Sequence, residues 1–337
     1  MITILIPTAS RPTLLATALR SVSEQTAVKE IVEVIVSESK GDSRSREICQ
    51  QFPSLPIKYI FREPQMKGIE HLSALKKAHW SGEYTVMLHD DDWWTPDFLH
   101  TGIEALNSHP RASCFCCNSY NVPNEESIAL ACPLSAIFWF GANFPSMGHI
   151  WEMSMQEVLL GCLLHTPAIF STMMARSEAL RDSAIIYDTG NRFDVDRMFI
   201  FELSRYGTIL YSPIPQAFYR IHAQQDVNNF SEKSRTTQMC QTTEWIINRS
   251  GETVESIGNL FCARFDNCPK DNRGAFYHMA MQPWALPILA KQMNESSNVY
   301  KLYDKIHKKS RLKSLLKPFI PPIIVENGAF LRNFFRI

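Results

Sequence analysis

An α/β fold with a mostly parallel central sheet is what this sequence predicts, and three observations carry the prediction. Through the first 120 residues, short β-rich apolar runs alternate with stretches whose apolar residues recur at helical spacing. Three adjacent carboxylates, Asp90, Asp91 and Asp92, stand at the end of the fourth such run. From about Phe230 onward the pattern is helical throughout.

The elements follow in order. "ITILIP" (Ile2 to Pro7) predicts a first strand, and Leu14, Leu15, Ala18, Leu19 and Val22 mark the helix after it. "IVEVIVS" (Ile31 to Ser37) predicts a second strand and Ser43 to Phe52 a second helix. "IKYIF" (Ile57 to Phe61) is a third strand, followed by a helix marked by Ile69, Leu72, Ala74, Leu75 and Ala78. "EYTVML" (Glu83 to Leu88) is the fourth strand, Pro96 to Asn107 a helix that Thr95 can cap, and Ala112 to Tyr120 the fifth strand. Such alternation argues a parallel sheet covered on both faces. Further on, Met155 to Leu164 reads as a helix and Pro167 to Ala175 as a strand. Phe193 to Gly207 reads as an amphipathic helix ended by glycine, and "TILYSP" and "QAFYRIH" as two short strands.

The chain has 337 residues, which suits one large domain or a domain with a smaller appendage. Hydrophobic residues make up 45% and charged residues 20%, the balance of a soluble globular protein. A net charge of zero gives no support for nucleic-acid binding. The nine cysteines show no paired zinc-site spacing, and "CFCC" (Cys114 to Cys117) reads as strand core. This pattern suits a reducing compartment. The N-terminus opens on a strand without a basic leader, so a cytoplasmic location is expected. The uncharged run from Ser127 to Trp151 is broken by Pro133, Gly141, Pro145 and Gly148, and reads as a buried irregular insert rather than a membrane span.

In parallel sheets ligands bind beyond the carboxyl ends of the strands. The acidic triplet stands at such an end, where carboxylates can meet a divalent cation bound to a diphosphate.

Four segments carry a family resemblance. "PTASRPTLLATALRSVSEQT" (Pro7 to Thr26) resembles the opening of family 2 glycosyltransferases, with Pro-Thr-x-x-Arg before a helix and Gln-Thr after it. "HDDDWWTPDFL" (His89 to Leu99) resembles their DxD metal site, "FDVDRMFIFELSRYG" their acceptor-side helix, and "YRIHAQQ" (Tyr219 to Gln225) their Tyr-Arg-x-His segment. The resemblance covers roughly residues 1–225. It implies a GT-A nucleotide-diphospho-sugar transferase fold over 1–225 and a helical extension over 226–337. It also implies sugar transfer with inversion from a nucleotide-sugar to a glycan or lipid-linked acceptor, as in surface polysaccharide synthesis.

The resemblance implies roles for particular residues. Asp92 would bind Mg²⁺ or Mn²⁺ directly, with Asp90 on the ribose or on the metal through water, and His222 as a further metal candidate. Thr8, Arg11, Glu38 and Asp91 join Asp90 on the nucleotide and cofactor side. Asp196 is the expected base, eleven positions before Gly207, with Asp194 as the substitute. Three departures stand out. Val195 replaces the usual Glu, and Ser37 and Glu38 replace the usual Asp pair after the second strand. Lys67 is a weaker donor-side candidate, and Trp93, Trp94 and Trp139 are candidates for stacking on sugar rings.

The tail "KLYDKIHKKSRLKSLLKP" (Lys301 to Pro318) is a basic amphipathic pattern, so peripheral contact of 301–337 with an anionic membrane at its inner face is expected. Two rivals remain. A sugar-phosphate nucleotidyltransferase would carry a glycine-rich loop, and "PTASRP" has none. A non-catalytic scaffold that keeps the fold is the other: the Val195 and Ser37 departures leave it open, and the retained DxD with Asp196 argues against it.

Overall fold

The computed structural model describes residues 1–337 except 40, 42, 67, 78–79, 125–126, 131–149, 184–193, 224, 226–227, 229, 267–279, 281, 292–299, 302 and 305–337. Trp139, Lys67, most of the uncharged insert and the basic tail beyond 304 therefore lie outside the described residues.

The first half alternates as expected. Strand β1 (Ile2–Thr8) is followed by α1 (Pro12–Ser23), β2 (Ile31–Glu38), α2 (Ser43–Gln50), β3 (Ile57–Phe61), α3 (Gly68–Lys76) and β4 (Tyr84–Met87). The sheet then continues through β5 (Trp93–Trp94), α4 (Phe98–Ser108), β6 (Ala112–Asn124), β7 (Ser127–Leu130) and β8 (Trp151–Met153). After α5 (Met155–Leu164) come β9 (Met173–Arg176), α6 (Ser177–Asp182), α7 (Val195–Leu203) and β10 (Thr208–Arg220). Helices α8 (Glu232–Ser250), α9 (Val254–Asp266) and α10 (Leu286–Lys291) follow.

The strand order is β3-β2-β1-β4-β9-β6-β10-β5, with β7 on β6 and β8 on β10. β1 pairs in parallel with both β2 and β4, and β6 with β10. β9 runs antiparallel between β4 and β6. The chain leaves β1 toward β2 on one side and returns to β4 on the other. That reversal opens a crevice at the carboxyl ends of β1 and β4, the usual ligand position in such sheets.

Two apolar layers clamp the sheet. Ile2, Ile4 and Ile6 of β1 pack with Leu15, Leu19 and Val22 of α1 and with Phe98 and Leu106 of α4. Leu5 points to the opposite layer, with α5, α7, α8, α9 and α10. Alternate side chains of one strand thus serve opposite faces, which is why the run is apolar throughout. Cys114, Cys116 and Cys117 are buried in β6 as small apolar side chains.

Several boundaries differ from the sequence expectation. The predicted strand Pro167 to Ala175 begins instead as a 3-10 turn, Phe170–Thr172, and only Met173–Arg176 pairs. The two short strands predicted around Ser212 are one, β10, whose register shifts between Ser212 and Pro215 and again between Pro215 and Ala217. Proline lacks a ladder donor, so it is carried at bulges and need not end the strand. Helix α7 ends at Leu203, not at the glycine. Gly207 is needed for another reason: a Cβ there would sit 2.3 Å from the Arg111 carbonyl oxygen.

Helix α4 begins two residues later than predicted, and Thr95 does not cap it. Asp97 holds the cap position, but its side chain makes no bond to the helix and instead accepts from Thr26 Oγ1 at 3.2 Å. The cap comes from Gln25, whose Oε1 accepts from Leu99 N–H at 3.0 Å while its amide donates to the Thr95 carbonyl at 2.7 Å. Thr26 N–H donates to the Pro96 carbonyl at 2.9 Å. The Gln-Thr pair after α1 therefore fixes where the segment beyond the acidic triplet turns into a helix. Gln25 is buried, so Gln25→Ala leaves that helix start unsatisfied. A loss of about 1–3 kcal/mol in urea unfolding is expected.

Candidate active site

Each strand ending at the crevice delivers one part of the site. Thr8 closes β1, Glu38 closes β2, and His89 to Asp92 follow β4. After Thr8 the chain turns sharply at Ser10, whose φ of 56° is left-handed for a residue other than glycine. Such a conformation costs on the order of 1 kcal/mol. The Ser10 N–H donates to Glu38 Oε1 at 2.7 Å, and the turn brings Arg11 over the triplet. Glu38 is fully buried, and its second oxygen, Oε2, has no hydrogen-bond partner among the described residues.

Each of the three adjacent aspartates has a partner of its own, and Asp90 and Asp91 also share Arg11, which is how they coexist. Asp90 accepts from Thr8 Oγ1 at 2.7 Å and from Arg11 Nη1 at 3.2 Å. Asp91 accepts from Arg11 Nη1 at 3.1 Å, and its Oδ2 lies 3.0 Å from His222 Nε2. Asp92 is buried and accepts from Ser171 Oγ at 2.6 Å and from the Arg220 N–H at 3.1 Å.

Their acidities split accordingly. Burial pushes Asp90 up to about 7, with Arg11 opposing and Asp91 adding to the rise. Burial also raises Asp92 well above the usual carboxylate range, and the neighbouring Asp91 adds to that. Asp91 goes the other way. Burial alone would raise it, but His89, His222 and Arg11 outweigh burial and hold it below the ordinary value. Asp91 is thus the carboxylate most readily ionised. His89, Asp91 and Asp92 each offer one donor atom, all within 4.8 Å of one another. A mixed nitrogen and oxygen set of this size fits a divalent cation.

The 3-10 turn Phe170–Thr172 ties the triplet to the predicted base. Ser171 Oγ donates to Asp92, and the adjacent Phe170 N–H donates to Asp196 Oδ1 at 2.9 Å. Ser171 Oγ also accepts from the His89 N–H at 3.2 Å, and its carbonyl accepts from Trp94 Nε1 at 2.7 Å. Burial pushes Asp196 up to about 7. Tyr219 senses both groups: burial, then Asp92 and Asp196, push its hydroxyl up to about 12.

Asp194 is not part of this gathering. It is buried with its Oδ2 2.6 Å from Arg197 Nη2, and it accepts from Thr166 Oγ1 at 3.3 Å. Arg197 is wholly buried and donates to the carbonyls of Cys162 and Met239, which anchors α7 to α5 and α8.

Arg220 lies over the Trp93 ring at 4.6 Å and donates from Nε to the Asp91 carbonyl at 3.2 Å. Trp93 stacks on Phe218 at 5.0 Å. Trp94 is buried against Phe98. Ser37, where the usual Asp is missing, lies 2.8 Å from His71 Nε2 and accepts from Arg62 Nε at 3.0 Å. Burial, with Arg62, lowers His71 to about 4, so this network is neutral at the histidine.

The sequence reading missed Phe170 and Ser171 because no local pattern marks a turn that meets two distant aspartates. It also passed over His89, although the His-x-Asp spacing to Asp91 stood in the quoted motif.

Residues 3–144 match the model of glycosyl transferase family 2. The match covers less than half of the chain. No curated protein matches the sequence. Among solved structures, residues 1–349 of S. aureus TarS align over 87% of this chain and 81% of that one, at 14% identity and a TM-score of 0.59. The same TarS fragment in complex with UDP-GlcNAc aligns over 86% and 80%, at 13% identity and a TM-score of 0.54. A longer TarS chain aligns over 87% of this chain but 49% of its own length, with a TM-score of 0.57. At such identities the likeness is one of fold alone, and it extends well beyond residue 144. Among the described residues no helix is long and apolar enough to cross a membrane.

Proposed function

We propose that the chain is an inverting, metal-dependent glycosyltransferase that moves a sugar from a nucleotide-sugar to a glycan or lipid-linked acceptor in surface polysaccharide synthesis. One observation carries the reading. The turn at Phe170 and Ser171 holds a carboxylate with a pKa near 7, Asp196, beside the carboxylate and imidazole cluster at the end of β4. An inverting transfer needs such a pair of groups, a base for the acceptor hydroxyl and a site for the leaving diphosphate.

The residues divide the work. His89, Asp91 and Asp92 would hold a divalent cation, which when bound neutralises charge on the departing diphosphate. Arg11, shared between Asp90 and Asp91, adds positive charge on the same side. Thr8, Asp90 and Glu38 line the nucleotide side, and Glu38 Oε2, unpartnered among the described residues, is an acceptor for a donor group of the nucleoside. Asp196 takes the proton of the attacking hydroxyl. The solved TarS complexes with UDP-GlcNAc and UDP support a nucleotide-sugar donor. Residues 1–225 form the transferase unit in this reading, and the basic segment within 226–337 meets an anionic membrane at its inner face.

The test is a panel of UDP-, GDP- and dTDP-sugars with Mn²⁺ or Mg²⁺, scored for nucleoside diphosphate release with and without EDTA. Release from one donor is expected, abolished by EDTA and reduced at least about 100-fold in Asp91→Ala. No release, with no metal-dependent nucleotide binding, would favour a scaffold.

A further inference from the structure

We infer that His89 is a ligand of the divalent cation, which makes this a His-x-Asp centre that favours Mn²⁺ or another ion accepting imidazole nitrogen over Mg²⁺. The inference rests on reading the crevice as a metal-dependent donor site.

The geometry sorts the side chains into two sets. His89 to Asp92 form a turn, closed by the Asp92 N–H donating to the His89 carbonyl at 3.1 Å, which brings the two ends of the segment together. Asp90 points to Thr8 and Arg11. His89 and Asp91 flank it and share a cluster with Asp92, their donor atoms all within 4.8 Å. The two-residue chelating pair is therefore His89 with Asp91, not Asp90 with Asp92. Asp92 enters as a buried third donor already aimed by Ser171 and Arg220.

The support around His89 is built rather than incidental. Its backbone N–H is held by Ser171 Oγ at 3.2 Å, and its ring lies 5.6 Å from the Phe170 ring. Both contacts come from the turn that also holds Asp196. His222 approaches from a different segment and lies 3.0 Å from Asp91 Oδ2. It orients the carboxylate from outside, as supporting partners of metal ligands do.

The ligand set decides the ion. Mg²⁺ demands oxygen ligands in a near-ideal octahedron and keeps its water. Imidazole suits later divalent ions, and carboxylates keep Mn²⁺ within range. A centre with one nitrogen and two carboxylates should therefore bind Mn²⁺ at least about ten times more tightly than Mg²⁺.

The experiment is electron spin-echo spectroscopy of Mn²⁺ bound to the full chain, alone and with UDP or GDP, alongside competition by Mg²⁺. Nitrogen modulation on bound Mn²⁺ is expected, retained in His222→Gln and lost in His89→Gln. His89→Asp should bring the Mn²⁺ to Mg²⁺ preference toward one, and melting curves establish that each variant folds. Modulation lost in His222→Gln but kept in His89→Gln would overturn the assignment, as would bound Mn²⁺ with oxygen ligands only. Those results leave the transferase reading standing. Absence of Mn²⁺ binding under every condition would overturn both.

Discussion

Asp196→Asn is expected to cut sugar transfer by roughly 10²–10⁴-fold and at the same time to make the protein harder to unfold. Both effects come from the same burial, which lifts this carboxyl from 3.8 to about 7. A base with that pKa is half ionised near neutral pH, where proton transfer is most effective. The wild-type rate should therefore climb as pH rises through about 7. The stability sign is opposite. A folded-state pKa above the unfolded value means that the ionised form opposes folding. Stability should then fall as pH climbs from the unfolded value of 3.8 toward about 7. The shift sets an upper bound of about 4 kcal/mol on that cost at higher pH. Asparagine removes the charge, and its Oδ1 can still accept from the Phe170 N–H. A gain of about 0.5–2 kcal/mol is expected. Melting at pH 6 and pH 8 checks it, with the larger gain at pH 8. A variant with normal turnover would remove Asp196 from the mechanism.

Arg197→Met is expected to produce the largest loss of stability, about 3–5 kcal/mol, because it strands a buried carboxylate. Asp194 is fully buried and stands 2.6 Å from the guanidinium. Burial already raises Asp194 to about 6 against the opposing pull of Arg197. Without the arginine, Asp194 is buried and uncompensated whenever it is ionised. The loss should therefore be larger at pH 8 than at pH 5, where protonation neutralises it. Adding Asp194→Asn should recover part of the loss, since the pair then goes together. Asp194→Asn alone should keep turnover per folded molecule, in contrast to Asp196→Asn. Denaturant unfolding of the four proteins, with rates normalised to the folded fraction, measures both points. Lost turnover in a folded Asp194→Asn protein would transfer the base to Asp194.

The two aspartates are two residues apart in one motif, and nothing local separates them. Position along the chain places both at the start of α7. What separates them is the neighbour each meets. Asp194 turns to Arg197, one helical turn on, between α5 and α8. Asp196 meets a backbone N–H from residue 170.

The same division runs through the whole molecule. The sequence by itself determined the alternating strands and helices, because periodicity is a local property that tertiary packing then uses. It determined that the acidic triplet leaves a buried strand at its carboxyl end, and that Thr8, Arg11 and Glu38 leave the neighbouring strands nearby. Only the tertiary structure decided which carboxylate meets which partner. It set Asp92 on Ser171, Asp90 on Thr8, and Asp91 between His222 and Arg11. It also carried β10 through Pro213 and Pro215 as one irregular strand. The physical reason is range. A strand or helix is selected by residues two to four apart, whereas the pKa of a buried carboxyl is set by whatever group folding brings within about 3 Å of it.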